Sequence, residues 1–246
     1  MTMSTWLADL RILASMAKGL PTSGGAESQL DSFYAPQAVH YDRFREKLLH
    51  GRAEMLQSLG IQAGYNVAEI GAGTGRTVEF YRDQLDTLGH VDLVDLCEPL
   101  LRQAQARLDN HPKVSVHHAD ACTWRASQPL DRVYFSYSLT MIPPWFAAID
   151  NAYQNLAVGG LIGVVDFQVA PRGGSSRGFK QGKLGRFFWP FWFDHDGVRL
   201  NSDLLAYLQY RFETIEVREL RSSIPYMPGL QVPYFIFIGR KRDEES

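Results

Sequence analysis

An apolar run that ends in an acid and passes into a turn with three glycines occupies Val67-Ala68-Glu69-Ile70-Gly71-Ala72-Gly73-Thr74-Gly75. Few arrangements accommodate it. Glycine reaches backbone angles closed to other residues, and without a Cβ it lets a ligand lie against the main chain. A strand that stops at such a turn and feeds a helix makes a nucleotide pocket at its C-terminal edge. Asp95 closes the next apolar run, Val91-Asp92-Leu93-Val94, 20 positions after Gly75. An acid at roughly that separation from the glycines reaches the hydroxyls of a ribose.

From Val67 onward the pattern alternates between strand and helix. Strands are expected near 66–70, 91–95, 113–117, 131–136 and 160–166, with helices near 75–87, 98–108 and 144–156. Such alternation implies a parallel sheet covered on both faces. Two later runs, Thr214 to Leu220 and Val232 to Arg240, flank a connection with Pro225, Pro228 and Gly229. They read as a closing hairpin that adds an antiparallel strand. Upstream, Trp6, Leu10, Leu13 and Ala17 recur at helical spacing over 4–18, and a second helical region covers about 38–59. The expected organisation is a helical lid and substrate region over 1–60 and a nucleotide-binding domain over 61–246. Within the latter, 170–200 is an insert rich in glycine, arginine and aromatics; long inserts without periodicity in compact domains are usually functional or mobile, and its position near the C-terminal ends of the strands favours function.

Composition removes several classes of function. A net charge of −2 argues against a nucleic-acid partner, which calls for a basic face. Cys97 and Cys122 do not make a disulfide framework, so a reducing cytoplasm is expected, and no metal-ligand cluster is visible. No apolar run reaches 18 residues, so no transmembrane segment is expected. Asp9, Arg11 and Lys18 interrupt the N-terminal apolar positions, unlike a secretory signal.

A nicotinamide or flavin dinucleotide uses a similar turn and ribose acid. Two features favour S-adenosyl-L-methionine. The turn lies well inside the chain behind helices, and Asp120 follows the third strand in His118-Ala119-Asp120-Ala121, where it can accept from an adenine amino group. The plainer role of Asp120 is a helix N-cap before Trp124. Glu69 would face the ligand's ammonium, or instead anchor the strand end. Taken in order, these residues predict an α/β, Rossmann-like class I methyltransferase fold. It would have a seven-stranded, mostly parallel sheet with an antiparallel last strand, and N-terminal helices forming a cap. The expected cofactor contacts are Glu69, Gly71, Ala72, Gly73, Gly75, Asp95, Leu96, Asp120, Ala121 and Ser136.

Three further segments carry a more specific likeness. They are Tyr34-Ala35-Pro36-Gln37 with Tyr41-Asp42-Arg43-Phe44-Arg45 and Leu49-His50-Gly51-Arg52; Phe135-Ser136-Tyr137-Ser138-Leu139-Thr140-Met141-Ile142-Pro143-Pro144; and Phe188-Trp189-Pro190-Phe191-Trp192-Phe193-Asp194-His195-Asp196. With Val164-Val165-Asp166-Phe167 they resemble the N-methyltransferase of betaine-lipid synthesis over about residues 30–240. The resemblance implies stepwise trimethylation of the amino group of diacylglyceryl-homoserine. It also implies a separate enzyme that builds the homoserine lipid, since some members carry that half fused and this chain does not. Phosphatidylethanolamine is the competing acceptor. A non-catalytic S-adenosylmethionine-binding subunit or sensor is the competing role.

An acceptor amine must be neutral to attack a methyl carbon, so a group must take its proton. His195, between Asp194 and Asp196, and Asp166 are the candidates, with Tyr41 beside them as a catalytic residue. The product is a quaternary ammonium, which suits aromatic faces; Tyr34, Tyr41 and Tyr137 are the expected cage, or else tethered core tyrosines. Arg45 and Arg52 could pair with the homoserine carboxylate, or with Glu46 and Glu54 at the surface. The basic and aromatic mixture of 177–189 suits a membrane interface, which makes peripheral attachment at the cytoplasmic face the expectation. Helix 4–18 serves either as a lid or as a second membrane contact.

Overall fold

The computed structural model describes residues 48–169, 199–224 and 227–243. The apolar runs become seven strands: β1 (Asn66–Ile70), β2 (His90–Asp95), β3 (Val114–His118), β4 (Leu130–Ser136), β5 (Leu156–Phe167), β6 (Glu213–Ile224) and β7 (Met227–Arg240). They form one sheet in the order β3-β2-β1-β4-β5-β7-β6. Strands β1 to β5 pair in parallel, while β7 runs antiparallel to both β5 and β6. This is the expected Rossmann-like α/β sheet with its antiparallel closing strand. The strand order reverses between β1 and β4, and a crevice opens at the C-terminal rim of such a reversal.

Successive side chains of a strand point to opposite faces, and both faces here are buried. Val67 joins a layer with Met55, Val78 and Leu100, whereas Ala68 and Ile70 join the other with Ile149 and Leu208. The described helices are α1 (Arg52–Leu59), α2 (Glu98–Arg107), α3 (Trp145–Asn155) and α4 (Leu204–Arg211). Pro99 in the first turn of α2 and Arg107 in its last suit the two ends of a helix. The segment Arg76–Thr87, expected as a helix, is wound as 3₁₀ turns. It leaves helical angles at Tyr81 (φ −132°, ψ 23°), whose ring turns inward to place its hydroxyl 2.8 Å from that of Tyr134.

Helix α1 falls inside the region 1–60 that the sequence marks as lid and substrate region, and it packs against the sheet. Met55 and Leu59 are fully buried, and α1 lies so close to β5 that a Cβ on Gly163 would meet Met55 Sδ at 2.7 Å. The segment 52–59 is therefore part of the sheet's cover. The rest of the proposed lid, residues 1–47, lies outside the described residues. Among the described residues no helix is long and apolar enough to cross a membrane.

Candidate functional site

Strands β1 and β2 end side by side, and the glycine turn is tied across both. The amides of Gly71 and Ala72 donate to the Val94 carbonyl at 2.8 and 3.1 Å. Gly71, Gly73 and Gly75 hold φ of 72°, 54° and 66°, the left-handed region that side chains disfavour. Gly71 is doubly constrained, because a Cβ there would overlap Ser138, whose Oγ donates to the Ile70 carbonyl at 2.8 Å. From the last turn of α2, Arg107 Nε donates to the Thr74 carbonyl at 3.0 Å.

Asp95 is the last residue of β2 and stands at the rim. Its Oδ2 accepts from the Gly73 amide and its Oδ1 from the Cys97 amide, both at 2.8 Å. A carboxylate offers about four acceptor positions, so holding these amides is compatible with accepting from a diol. Asp120 is exposed just beyond β3; its Oδ1 accepts from the Cys122 amide at 2.8 Å. Its carbonyl accepts from the Thr123 and Trp124 amides, which closes a turn rather than capping a helix. Asn151 of α3 secures that turn, its Nδ2 donating to the carbonyls of Ala121 and Trp124, both at 2.8 Å.

These rim elements enclose a cavity of about 280 Å³. Gly71, Gly73, Asp95, Leu96, Asp120 and Ala121, among the proposed cofactor contacts, line it, joined by Val94, Cys97, Leu100 and Ala119. The facing wall is Tyr137, Ser138 and residues 141–144. Tyr137 adopts φ 55°, donates its hydroxyl to the His50 carbonyl at 2.7 Å and packs its ring 4.6 Å from that of Phe167. It thus lines the cavity as a buried residue whose hydroxyl is tethered. The wall residues 141–144 sit in a segment singled out by its sequence, but no binding role was expected of them. Their signal was position: they follow β4, next to the strand-order reversal.

Several expected contacts lie behind the cavity instead of in its wall. Glu69 is 1% exposed and accepts from the Tyr134 hydroxyl at 3.2 Å, with Thr77 also bonded to it. Burial pushes its carboxyl up to about 8, against those hydrogen bonds and the nearby Arg52 charge. It anchors the strand end and does not line the cavity. Asp166, expected as a proton acceptor, has no exposure at all. Its Oδ1 accepts from Thr140 Oγ1 at 2.7 Å and from the Phe167 amide at 2.8 Å, and its Oδ2 from the Thr140 amide at 3.1 Å. Enclosed in this way, it does not line the cavity. Ala72 and Ser136 are buried in the layers beneath, and neither lines the cavity. Gly75 lets α2 approach, since a Cβ there would lie 3.1 Å from Ala104 Cβ.

Arg52 is buried rather than at the surface, donating Nε to the Leu49 carbonyl at 3.3 Å, and its charge is felt by both Glu69 and Tyr137. Tyr34, Tyr41, Arg45 and His195 lie outside the described residues, as do helix 4–18 and the basic-aromatic segment 177–189.

Residues 67–160 match the family described as "Methyltransferase domain". Trans-aconitate 2-methyltransferase of Agrobacterium fabrum is 23% identical over 127 residues, 52% of this chain and 48% of that protein. The chain spans about half the length of the curated relatives it matches, 48% and 55%. Phosphoethanolamine N-methyltransferase 2 of Haemonchus contortus, solved with S-adenosyl-L-methionine, superposes with a TM-score of 0.66 at 12% identity. That match covers 90% of this chain and 61% of that one. N-methyltransferase NodS of Bradyrhizobium japonicum, solved with S-adenosyl-L-homocysteine, gives 0.58 at 16% identity, over 81% and 88%. Residues 67–160 are thus similar to a methyltransferase domain, and the chain shares the fold of these solved methyltransferases.

Proposed function

We propose that this chain is an S-adenosylmethionine-dependent N-methyltransferase that trimethylates the amino group of diacylglyceryl-homoserine. The observation that carries the reading is the cavity itself. One side offers a glycine turn and two carboxylates, Asp95 and Asp120; the other is the apolar wall of 141–144 beside the Tyr137 ring. Asp95 accepts from ribose hydroxyls, Asp120 from the adenine amino group, and Gly71 and Gly73 leave room for the amino-acid end. When bound, S-adenosylmethionine supplies an electrophilic methyl group and departs as S-adenosylhomocysteine. Two acids in an otherwise apolar enclosure suit a ligand that carries a sulfonium.

The protein's remaining task is to hold a neutral amine and remove protons. Starting from the ammonium form, three methyl additions release three protons and leave one fixed positive charge on nitrogen. His195 is the proposed proton acceptor, since Asp166 is enclosed, and Tyr41 acts beside it in the aromatic cage. Tyr137, with Tyr34, offers π faces to the growing cation, each contact contributing about 0.5–2 kcal/mol. Arg45 pairs with the homoserine carboxylate. Support for an amine acceptor comes from the betaine-lipid resemblance of the 135–144 and 188–196 segments and from the N-methyltransferases that share the fold. The lipid would be met at a cytoplasmic membrane face, supplied by a separate homoserine-lipid synthase.

The test offers diacylglyceryl-homoserine and phosphatidylethanolamine together in vesicles with methyl-labelled cofactor. Label should enter the homoserine lipid, whose carboxylate the other lipid lacks. Label in phosphatidylethanolamine alone would reassign the acceptor. Tight cofactor binding without label in either lipid would replace the enzyme by a sensor or subunit.

A further inference from the structure

Residues 138–144 cross from the end of β4 to the start of α3, and their two faces differ. Leu139 and Thr140 point into the protein at 0% and 3% exposure, whereas Met141 and Ile142 are half-exposed and line the cavity. The turn is short, with Met141 N donating to the Ser138 carbonyl at 3.0 Å and Ile142 N to the Leu139 carbonyl at 3.1 Å. Thr140 lies inside this turn, between the two acceptor carbonyls and the Met141 and Ile142 amides, so its placement bears on theirs. Among the described residues, three elements reach this segment. β1 receives Ser138 Oγ at the Ile70 carbonyl, the returning chain donates Arg199 N to the Thr140 carbonyl at 2.7 Å, and β5 presents Asp166. Among the described residues, Asp166 alone grips one residue of the segment through both main chain and side chain, taking the amide and the hydroxyl of Thr140.

We propose that Asp166 is the positioning residue of the acceptor wall, fixing Thr140 and through it the cavity face of 141–144. The assignment rests on the methyltransferase reading for its effect on turnover, but the clamp itself does not. The protein groups bonded to the carboxylate are all donors: Thr140 N, Thr140 Oγ1, the Phe167 amide and the Leu139 amide. An ionised carboxylate satisfies them all, and its enclosure raises its pKa only to about 6. An asparagine in its place must turn its NH₂ toward at least one N–H donor, in either orientation. Asp166→Asn is thus a specific lesion of the clamp with almost no change in volume.

The experiment compares Asp166→Asn, Thr140→Val and Thr140→Ser with the wild type by hydrogen exchange, cofactor titration and acceptor kinetics. In Asp166→Asn and Thr140→Val the Met141 and Ile142 amides should exchange faster by about tenfold or more, the scale of one charge-assisted hydrogen bond. The acceptor KM should rise by a similar factor, with kcat per bound enzyme and cofactor affinity within about twofold of wild type. Thr140→Ser, which keeps the hydroxyl, should behave as wild type. Unchanged exchange at 141–142 in a folded variant overturns the clamp, and faster exchange with unchanged KM overturns its role in acceptor placement. If Asp166→Asn does not fold, Thr140→Val decides. If the wild type transfers no methyl group, the functional reading fails while the exchange data still judge the clamp.

Discussion

Replacing Glu69 by Gln should remove a pH dependence of stability that the fold itself creates. Glu69 sits one residue before the end of β1 with 1% exposure, and burial lifts its carboxyl from an ordinary 4.5 to about 8. Burial is the largest cause; hydrogen bonds from Thr77 and Tyr134 and the charge of Arg52 oppose it. Because the folded pKa lies above the unfolded one, the native state binds the proton more tightly. The resulting stability is complete below pH 4.5 and is lost as pH rises toward about 8. At ~1.4 kcal/mol per pH unit, the full window corresponds to about 5 kcal/mol, and the interval from pH 5.5 to 7.5 to about 3 kcal/mol. Glutamine resembles the protonated acid and does not titrate. Urea unfolding of both proteins without cofactor, at pH 5.5, 6.5 and 7.5, isolates the term, since the other ionisable groups are common to both. The difference in unfolding free energy should move in favour of the Gln variant by about 3 kcal/mol across that range. Parallel curves would refute the reasoning. A wild type that gains on the variant as pH rises would show Glu69 ionised and held by Arg52, Thr77 and Tyr134.

Two further substitutions test the rim. Asp95→Ala removes the acceptor of the Gly73 and Cys97 amides as well as the proposed ribose contact. Calorimetric affinity for S-adenosylmethionine should fall by about a hundredfold or more, the equivalent of two charge-assisted hydrogen bonds, with far-UV circular dichroism preserved; unchanged affinity would remove the ribose assignment. Gly71→Ala places a methyl group at φ 72° and against Ser138, so stability should drop by about 2–4 kcal/mol in urea unfolding. Adding Ser138→Gly should recover part of that loss, and a double variant no better than the single would show that backbone strain alone accounts for it.

The acids of this sheet explain which parts of the site the sequence made legible. Glu69, Asp95 and Asp166 look alike in the sequence, each closing or nearly closing an apolar run. Asp95 is the final residue of β2 and is followed by a turn, so its side chain stands at the rim with the cavity. Glu69 and Asp166 are each one residue short of the end, followed by Ile70 and Phe167, which remain in the strand. A side chain one step inside the end of a central strand stays within a covered layer, where it must find donors among its neighbours. Tyr134 and Thr77 meet that need for Glu69, and Thr140 and Phe167 for Asp166. The sequence shows the acid and the run but not where the strand ends to within one residue, and that one residue decides between ligand contact and internal brace.

The same limit governs the wall and the lid boundary. Strand alternation and the spacing from Gly75 to Asp95 are local, so the sheet and the cofactor side of the cavity could be read directly. The packing of Met55 onto Gly163 and the grip of Asp166 on Thr140 join residues distant in sequence, and no short-range pattern carries them. Once they are known, the wall acquires a physical origin. Ile142, Pro143 and Pro144 can present an apolar face to the cavity because Leu139 and Thr140, immediately before them, are held from behind. On the proposed reading, the acceptor wall is set by the sheet and not by the loop's own propensity. Substitutions that change acceptor preference should therefore fall on 141–144, while changes at Thr140 or Asp166 should loosen preference without redirecting it.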